Sequence, residues 1–190
     1  VCVGLDQGNF EANRKVIDAT FNYICAFKPN ATFYTDSELA ETVNYIKSNH
    51  PEIPIILDAK RGDIAHTNEA YAKIIFDTLG VDAVTVHPYL GKESLQPFLD
   101  RTDKGILVLV KTSNPGAGEF QDLKIGDKPL YQVITEHVVS WNKNGNCGVV
   151  VGATYPEQLA EVRIIVCDMP ILVTGVGNQG GDLEKVLRRS

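Results

Sequence analysis

The chain has 190 residues, 44% of them hydrophobic, enough to bury one sizeable core, and no composition break or low-complexity run marks a second. Its 18 basic residues are scattered among 24 acidic ones for a net charge of −6, which excludes a nucleic-acid surface held by counterion release and gives no focus for a basic partner. No apolar run approaches the roughly 20 residues that span a bilayer, so a soluble, cytoplasmic protein with no membrane partner is expected. Its four cysteines (Cys2, Cys25, Cys147 and Cys167) are then read as buried small hydrophobes in a reducing compartment.

Strand-like and helical patterns alternate along the chain. VCVGLD (1–6) precedes a helical pattern over 10–22, ICAFKPN (24–30) one over 36–49, and IPIILDAK (53–60) one over 68–79. AVTVHPY (83–89) precedes 93–99, GILVLVKTS (105–113) precedes 130–142, CGVVVGAT (147–154) precedes 156–166, and PILVTGVG (170–177) precedes 183–188. The strands are continuous Val- and Ile-rich runs, as parallel strands covered on both faces require, and the helices carry apolar residues at three-and-four spacing. This alternation predicts an α/β fold with a parallel sheet.

A (β/α)8 TIM barrel and an open doubly wound sheet both satisfy that pattern. Nearly every strand ends in residues capable of chemistry (Asp6, Lys28, Asp58 and Lys60, His87, Lys111 to Ser113, Thr154, Gly175 to Gln179), which suits a barrel whose C-terminal rim forms one site. An open sheet would concentrate them at one switch point. Seven units are visible where a barrel needs eight. The expectation is therefore a single barrel domain over 1–190 that lacks an N-terminal helix and its eighth, C-terminal strand.

Three stretches carry the chemistry. In LDAKRGDI (57–64), Asp58, Lys60 and Asp63 follow an apolar strand, and strand alternation would place Asp58 and Lys60 side by side on one face. Lys28 closes the neighbouring strand. At about 4 Å and an effective dielectric near 20, each opposite pair is worth on the order of 4 kcal/mol, so an alternating row of Lys and Asp stays ionised. An ordinary ion-pair network is the plainer reading, but burying paired ions is a poor route to stability alone. TGVGNQGGD (174–182), after the seventh strand, offers glycine amides and a helix start to a phosphate, with a simple turn as the alternative. KTSNPGAG (111–118) reads as a mobile connection whose Ser113 could meet a polar ring, or as a plain surface loop. His50, His66 and His137 are expected on exposed surfaces and His87 at the mouth, and no His or Cys spacing suggests a metal site.

Taken together, VGLD, AFKPN, LDAKRGDI with Thr67, DAVTVHPYLG, KTSNPGAG, WNKNGN, GVVVGAT and GVGNQGGD resemble the bacterial-type branch of the orotidine 5′-phosphate decarboxylase family, over nearly the whole chain. Thr174 departs from the family's usual proline. The resemblance implies loss of CO2 from orotidine 5′-phosphate to give UMP, the last step of de novo pyrimidine synthesis, without metal or organic cofactor. It implies a charged tetrad of Lys28, Asp58, Lys60 and Asp63, with Lys60 the proton donor to C6. It also implies ribose contacts from Asp6 and Lys28, a pyrimidine contact from Ser113, and a phosphate contact from Gly177 and Gln179. In a homodimer, Asp63, Ile64 and Thr67 would complete the neighbouring subunit's pocket. Two other functions fit parts of the pattern: a metal-dependent sugar-phosphate decarboxylase or aldolase on the same barrel, and a phosphate-binding barrel without activity.

Overall fold

The computed structural model describes residues 1–176 together with Gly180, Gly181, Glu184, Val186 and Arg188. Seven parallel strands stand in chain order. β1 (Cys2–Leu5) pairs with β2 (Ala26–Pro29), and single bridges from Phe27 to Ile55 and from Asn30 to Asp58 carry β2 onto β3 (Ile56–Arg61). The row continues through β4 (Ala83–Val86) and β5 (Gly105–Lys111). A short antiparallel hairpin, β6 (Lys124–Ile125) and β7 (Lys128–Pro129), interrupts it before β8 (Cys147–Gly152) and β9 (Ile171–Thr174) complete it. Parallel neighbours need a crossover, and the intervening segments supply one each: α1 (Phe10–Thr20), α2 (Asp36–Asn49), α3 (Ala65–Ala72), α4 (Gly91–Leu99), the short α5 (Gly118–Gln121) with α6 (Leu130–Trp141), and α7 (Pro156–Val166).

Helix boundaries follow local chemistry. Thr35 and Glu38 form a reciprocal capping box at the start of α2, and Pro156 occupies the first turn of α7, where its missing N–H costs nothing. The helix expected over 68–79 begins earlier, at Ala65, and widens to π winding over Lys73–Leu79 before stopping at left-handed Gly80. The helix expected over 93–99 starts at Gly91. Glu184, Val186 and Arg188 are helical, in keeping with the last predicted helix, whose other residues lie outside the described set.

Alternation along the strands sorts the core into two layers. The larger cluster joins Leu5, Phe27, Leu57, Val84, Val86, Val108, Val149 and Val151 to helix residues such as Ile17, Val43, Phe98 and Leu159, and so lies between sheet and helices. The smaller one, Leu107, Leu109 and Val150 with Ile56, Ala83 and Leu172 packed on it, has no helix residue and fills the barrel interior. Two residues further along, the same inward parity delivers Asp58, Thr85, Gly152 and Thr174, whereas a register shift after Leu109 sets Lys111 opposite outward-facing Val151. On β1 and β2 it delivers Asp6 and Lys28. A polar layer thus rests directly on an apolar floor.

Two of the four cysteines depart from expectation. Cys147 is buried and Cys2 half-buried, but Cys25 and Cys167 are exposed. Cys25 precedes the first residue of β2, and Cys167 ends α7 in a left-handed conformation, φ +51°, outside either packed layer.

Candidate active site

Asp58 is the centre of the polar layer. It is almost fully buried. Its Oδ2 accepts from Lys28 Nζ at 3.1 Å, and its Oδ1 accepts from Lys60 Nζ at 2.6 Å and from the Thr85 hydroxyl at 2.8 Å. Burial pushes this carboxyl upward, but the ammonium groups of Lys28 and Lys60 and the Thr85 hydroxyl outweigh it and hold Asp58 below its ordinary value. Asp58 is therefore held as a carboxylate between the two lysines. Lys28 is nearly enclosed, with 16% of its side chain exposed, whereas Lys60 keeps 45% and faces the open mouth.

Simple strand alternation does not bring Lys60 there. Leu57 pairs with Val84 and Arg61 with Val86, so three residues of β3 bulge against Thr85 alone. Lys60 sits at the bulge with φ +46°, a backbone conformation that disfavours a residue with a Cβ. The expected neighbourhood of Asp58 and Lys60 is observed, but a kinked strand produces it. Past the kink, the Arg61 guanidinium lies 4.6 Å from the Tyr71 ring centroid, on α3 rather than in the mouth. Gly62 then passes so close to His87 that a Cβ there would meet His87 Cβ at 2.8 Å, which accounts for glycine in the motif. His87 is exposed at the rim; partial burial and, secondarily, Lys60 hold its imidazole below the ordinary value.

Asp63 and Ile64 lead into the start of α3. Asp63's carboxylate accepts from the Ile64 N–H at 2.7 Å and has no Lys or Arg partner among the described residues. Its main chain is clamped by buried Asn68, which accepts from Asp63 N at 3.1 Å and donates to the carbonyls of Asp63 at 2.7 Å and Ser94 at 2.6 Å. Ile64 is 60% exposed and Thr67 half-buried on the first turn of α3.

Ser113 lies on a segment tied to its surroundings by several hydrogen bonds. Thr154 Oγ1 donates to the Ser113 carbonyl at 3.1 Å, and Tyr155 Oη to that of Asn114 at 3.2 Å. The base of the loop is closed by Gln121, whose side chain bonds Thr112 N at 2.9 Å and Thr112 Oγ1 at 2.8 Å. Fully buried Lys111 adds an ion pair to Asp122 at 2.5 Å and lies 4.4 Å from the Tyr155 ring centroid. Gly152 admits Ser113 because a Cβ at Gly152 would meet Ser113 Cα at 2.6 Å. Asp6 is exposed just past β1, and Tyr34 Oη donates to the neighbouring Leu5 carbonyl at 2.6 Å. Gly177 and Gln179 lie outside the described residues. The ends of their loop are joined by Gly181 N donating to Gly175 O at 3.1 Å.

The sequence matches the model of the orotidine 5′-phosphate decarboxylase / HUMPS family over residues 1–189. It is 49% identical to the orotidine 5′-phosphate decarboxylase of Thermomicrobium roseum, in an alignment covering 98% of this chain and 74% of that one. The chain belongs to the orotidine 5′-phosphate decarboxylase family. The Leishmania donovani UMP synthase structure superposes with a TM-score of 0.93 at 42% identity, covering all of this chain, which spans 45% of the synthase. The Methanocaldococcus jannaschii orotidine 5′-monophosphate decarboxylase complexed with inhibitor BMP superposes at 0.85 with 27% identity, covering 99% of this chain and 83% of that one. The fold is thus the family's TIM barrel, of which the described residues supply seven strands.

Within that decarboxylase barrel, sequence reasoning missed Thr85, Asn68 and the Lys111–Asp122 pair. Thr85 was visible as a single hydroxyl in an apolar strand, two residues after inward-facing Ala83. Asn68 carried no such signal, because it acts on its own helix start.

Proposed function

We infer that this chain converts orotidine 5′-phosphate to UMP and CO2 within one barrel domain spanning residues 1–190, with Lys60 supplying the proton at C6 and no cofactor taking part. The observation that carries the reading is the buried Asp58 held between Lys28 at 3.1 Å and Lys60 at 2.6 Å at the rim of the barrel. Breaking the bond from C6 to the carboxylate releases CO2 and leaves an electron pair on C6 with no conjugated sink. The half-exposed ammonium of Lys60 meets that charge and then transfers its proton to form the C6–H bond, after which solvent reprotonates the amine. Asp58, kept ionised, faces the departing carboxylate and disfavours the ground state more than a transition state from which that charge is leaving. Both oxygens of Asp58 are occupied by donors, which supports an ammonium-based site over a metal-based sugar-phosphate reaction.

Lys28 and Asp6 hold the ribose, Ser113 the pyrimidine edge, and Gly177 with Gln179 the phosphate. The phosphate end supplies binding energy far from the reacting carbon. Asp63, Ile64 and Thr67 complete the pocket of a second copy in a homodimer. Exposed Ile64, Tyr89 at 92% and Leu90 at 45%, on adjacent rim turns, support that interface.

The fall in ultraviolet absorbance of orotidine 5′-phosphate, followed with and without EDTA, tests the reaction. Chelator-insensitive turnover is expected, and turnover abolished by EDTA would refute the cofactor-free reading. Mixing Lys60→Ala with Asp63→Asn chains tests the dimer. If Asp63 acts in the partner's site, each mixed dimer has one intact site, and two inactive proteins recover about a quarter of the wild-type rate on statistical exchange. No recovery after exchange would place Asp63 in its own barrel's site.

A further inference from the structure

We propose that Thr85 is a positioning residue that sets the bulge in β3 and thereby places Lys60 against Asp58. This rests on the decarboxylase reading above and extends it to a residue outside the tetrad. Opposite Thr85, β3 offers three residues where a regular parallel ladder would offer one, so the Lys60 N–H finds no main-chain carbonyl on β4. It donates instead to Thr85 Oγ1, at 2.9 Å. An N–H can only donate, so the hydroxyl must turn its own proton elsewhere, and the acceptor in reach is Asp58 Oδ1 at 2.8 Å.

One buried hydroxyl thus has both its roles assigned by its neighbours. It holds the main chain of Lys60 in an otherwise disfavoured left-handed conformation, φ +46°, and it fixes the Asp58 oxygen that the Lys60 ammonium contacts. Thr85 itself is 1% exposed, so no water can take its place without rearrangement. Valine has the same shape and would keep the strand while removing both bonds, leaving the Lys60 N–H unpartnered and freeing the bulge to relax. Serine would keep both bonds.

The groups facing Asp58 are Lys28 from β2, Lys60 from β3 and Thr85 from β4. Cys2 on β1 adds a neutral thiol, pushed up to about 11 by burial, and His87 beyond β4 faces Lys60. Removing the Thr85 donor leaves the carboxylate less stabilised, so its protonation moves to higher pH and the acid limb of the rate profile moves with it.

The test measures kcat, KM, the pH dependence of kcat and UMP affinity for wild type, Thr85→Val and Thr85→Ser. For Thr85→Val the expected results are a kcat lowered about 10- to 100-fold, an acid limb displaced to higher pH, and UMP affinity within about threefold of wild type. Thr85→Ser should return both kcat and the acid limb close to wild type. A Thr85→Val chain with unchanged kcat and acid limb overturns the proposal. So does one that loses UMP binding or its thermal transition together with kcat, which would assign Thr85 a structural part only, and so does a loss that serine does not restore. Absence of turnover in the wild type would instead defeat the decarboxylase reading, so the two failures are separable.

Discussion

Replacing Lys60 by alanine separates chemistry from binding more sharply than any other single change. The ammonium is asked to do two things, and each has a magnitude. As a unit charge about 4 Å from a developing carbanion, at an effective dielectric near 20, it contributes on the order of 4 kcal/mol, or about a thousandfold in rate. As a positioned acid it contributes about a further 10²- to 10⁴-fold. Lys60→Ala should therefore lower kcat by about 10⁵- to 10⁷-fold. Stability should change little. Asp58 keeps Lys28 and Thr85 as partners, and the lost side chain is 45% exposed, so the cost is about 1 kcal/mol or less and the melting temperature falls by only about 2–4 °C. The assay is single-turnover absorbance loss of orotidine 5′-phosphate, with UMP binding measured by calorimetry on the same preparation. A rate within about tenfold of wild type would refute Lys60 as proton donor. A loss of UMP affinity as large as the loss of rate would refute the separation of binding from chemistry.

The Lys111–Asp122 pair should respond asymmetrically. Asp122→Asn strands a fully buried ammonium and is expected to cost about 2 kcal/mol, part of the loss being offset by the Tyr155 ring. Lys111→Met leaves a half-exposed carboxylate that water can solvate and should stay within about 1 kcal/mol of wild type. Thermal unfolding of the two variants decides it, and equal losses would contradict the argument. His87 should report the charge of Lys60. In Lys60→Ala its NMR titration midpoint rises but stays below the ordinary value of 6.5, because burial, the larger cause, persists; an unmoved midpoint would show that Lys60 does not reach it. Because Asp58 is depressed when folded, its contribution to stability is present above the ordinary carboxylate value of 3.8 and lost as pH falls through its lower folded value, so Asp58→Asn should flatten that part of the acid unfolding curve.

The barrel was legible because its strands are continuous Val and Ile runs and each ends in a polar residue. Neighbouring strands made the grouping of Lys28 with Asp58 legible, and parity predicted Lys60 beside them, although a kink in β3 rather than regular alternation puts it there. What parity could not reveal was the kink. A left-handed lysine and a two-residue register shift depend on a hydroxyl one strand away, and no local propensity encodes that. The bonds that tie the loop after β5 were not legible, because Pro115, Gly116 and Gly118 dominate its composition while Lys111, Gln121, Thr154 and Tyr155, which make them, are distributed over three separate segments. Exposed Cys25 and Cys167 were misjudged for a related reason: an apolar neighbourhood in sequence says little at the exact end of a strand or helix.

The apolar floor under the polar layer bears on how such a barrel changes over evolutionary time. Leu107, Leu109 and Val150, with Ile56, Ala83 and Leu172, close the interior without touching the chemistry, while Asp6, Lys28, Asp58 and Thr85 each come from a different strand or its end. A substitution in the upper tier therefore changes a set of polar contacts, three of them at Asp58, and leaves the packing that carries the fold intact. Changes in chemistry are thereby confined to a polar network that couples neighbouring strands, above a foundation that the network does not share.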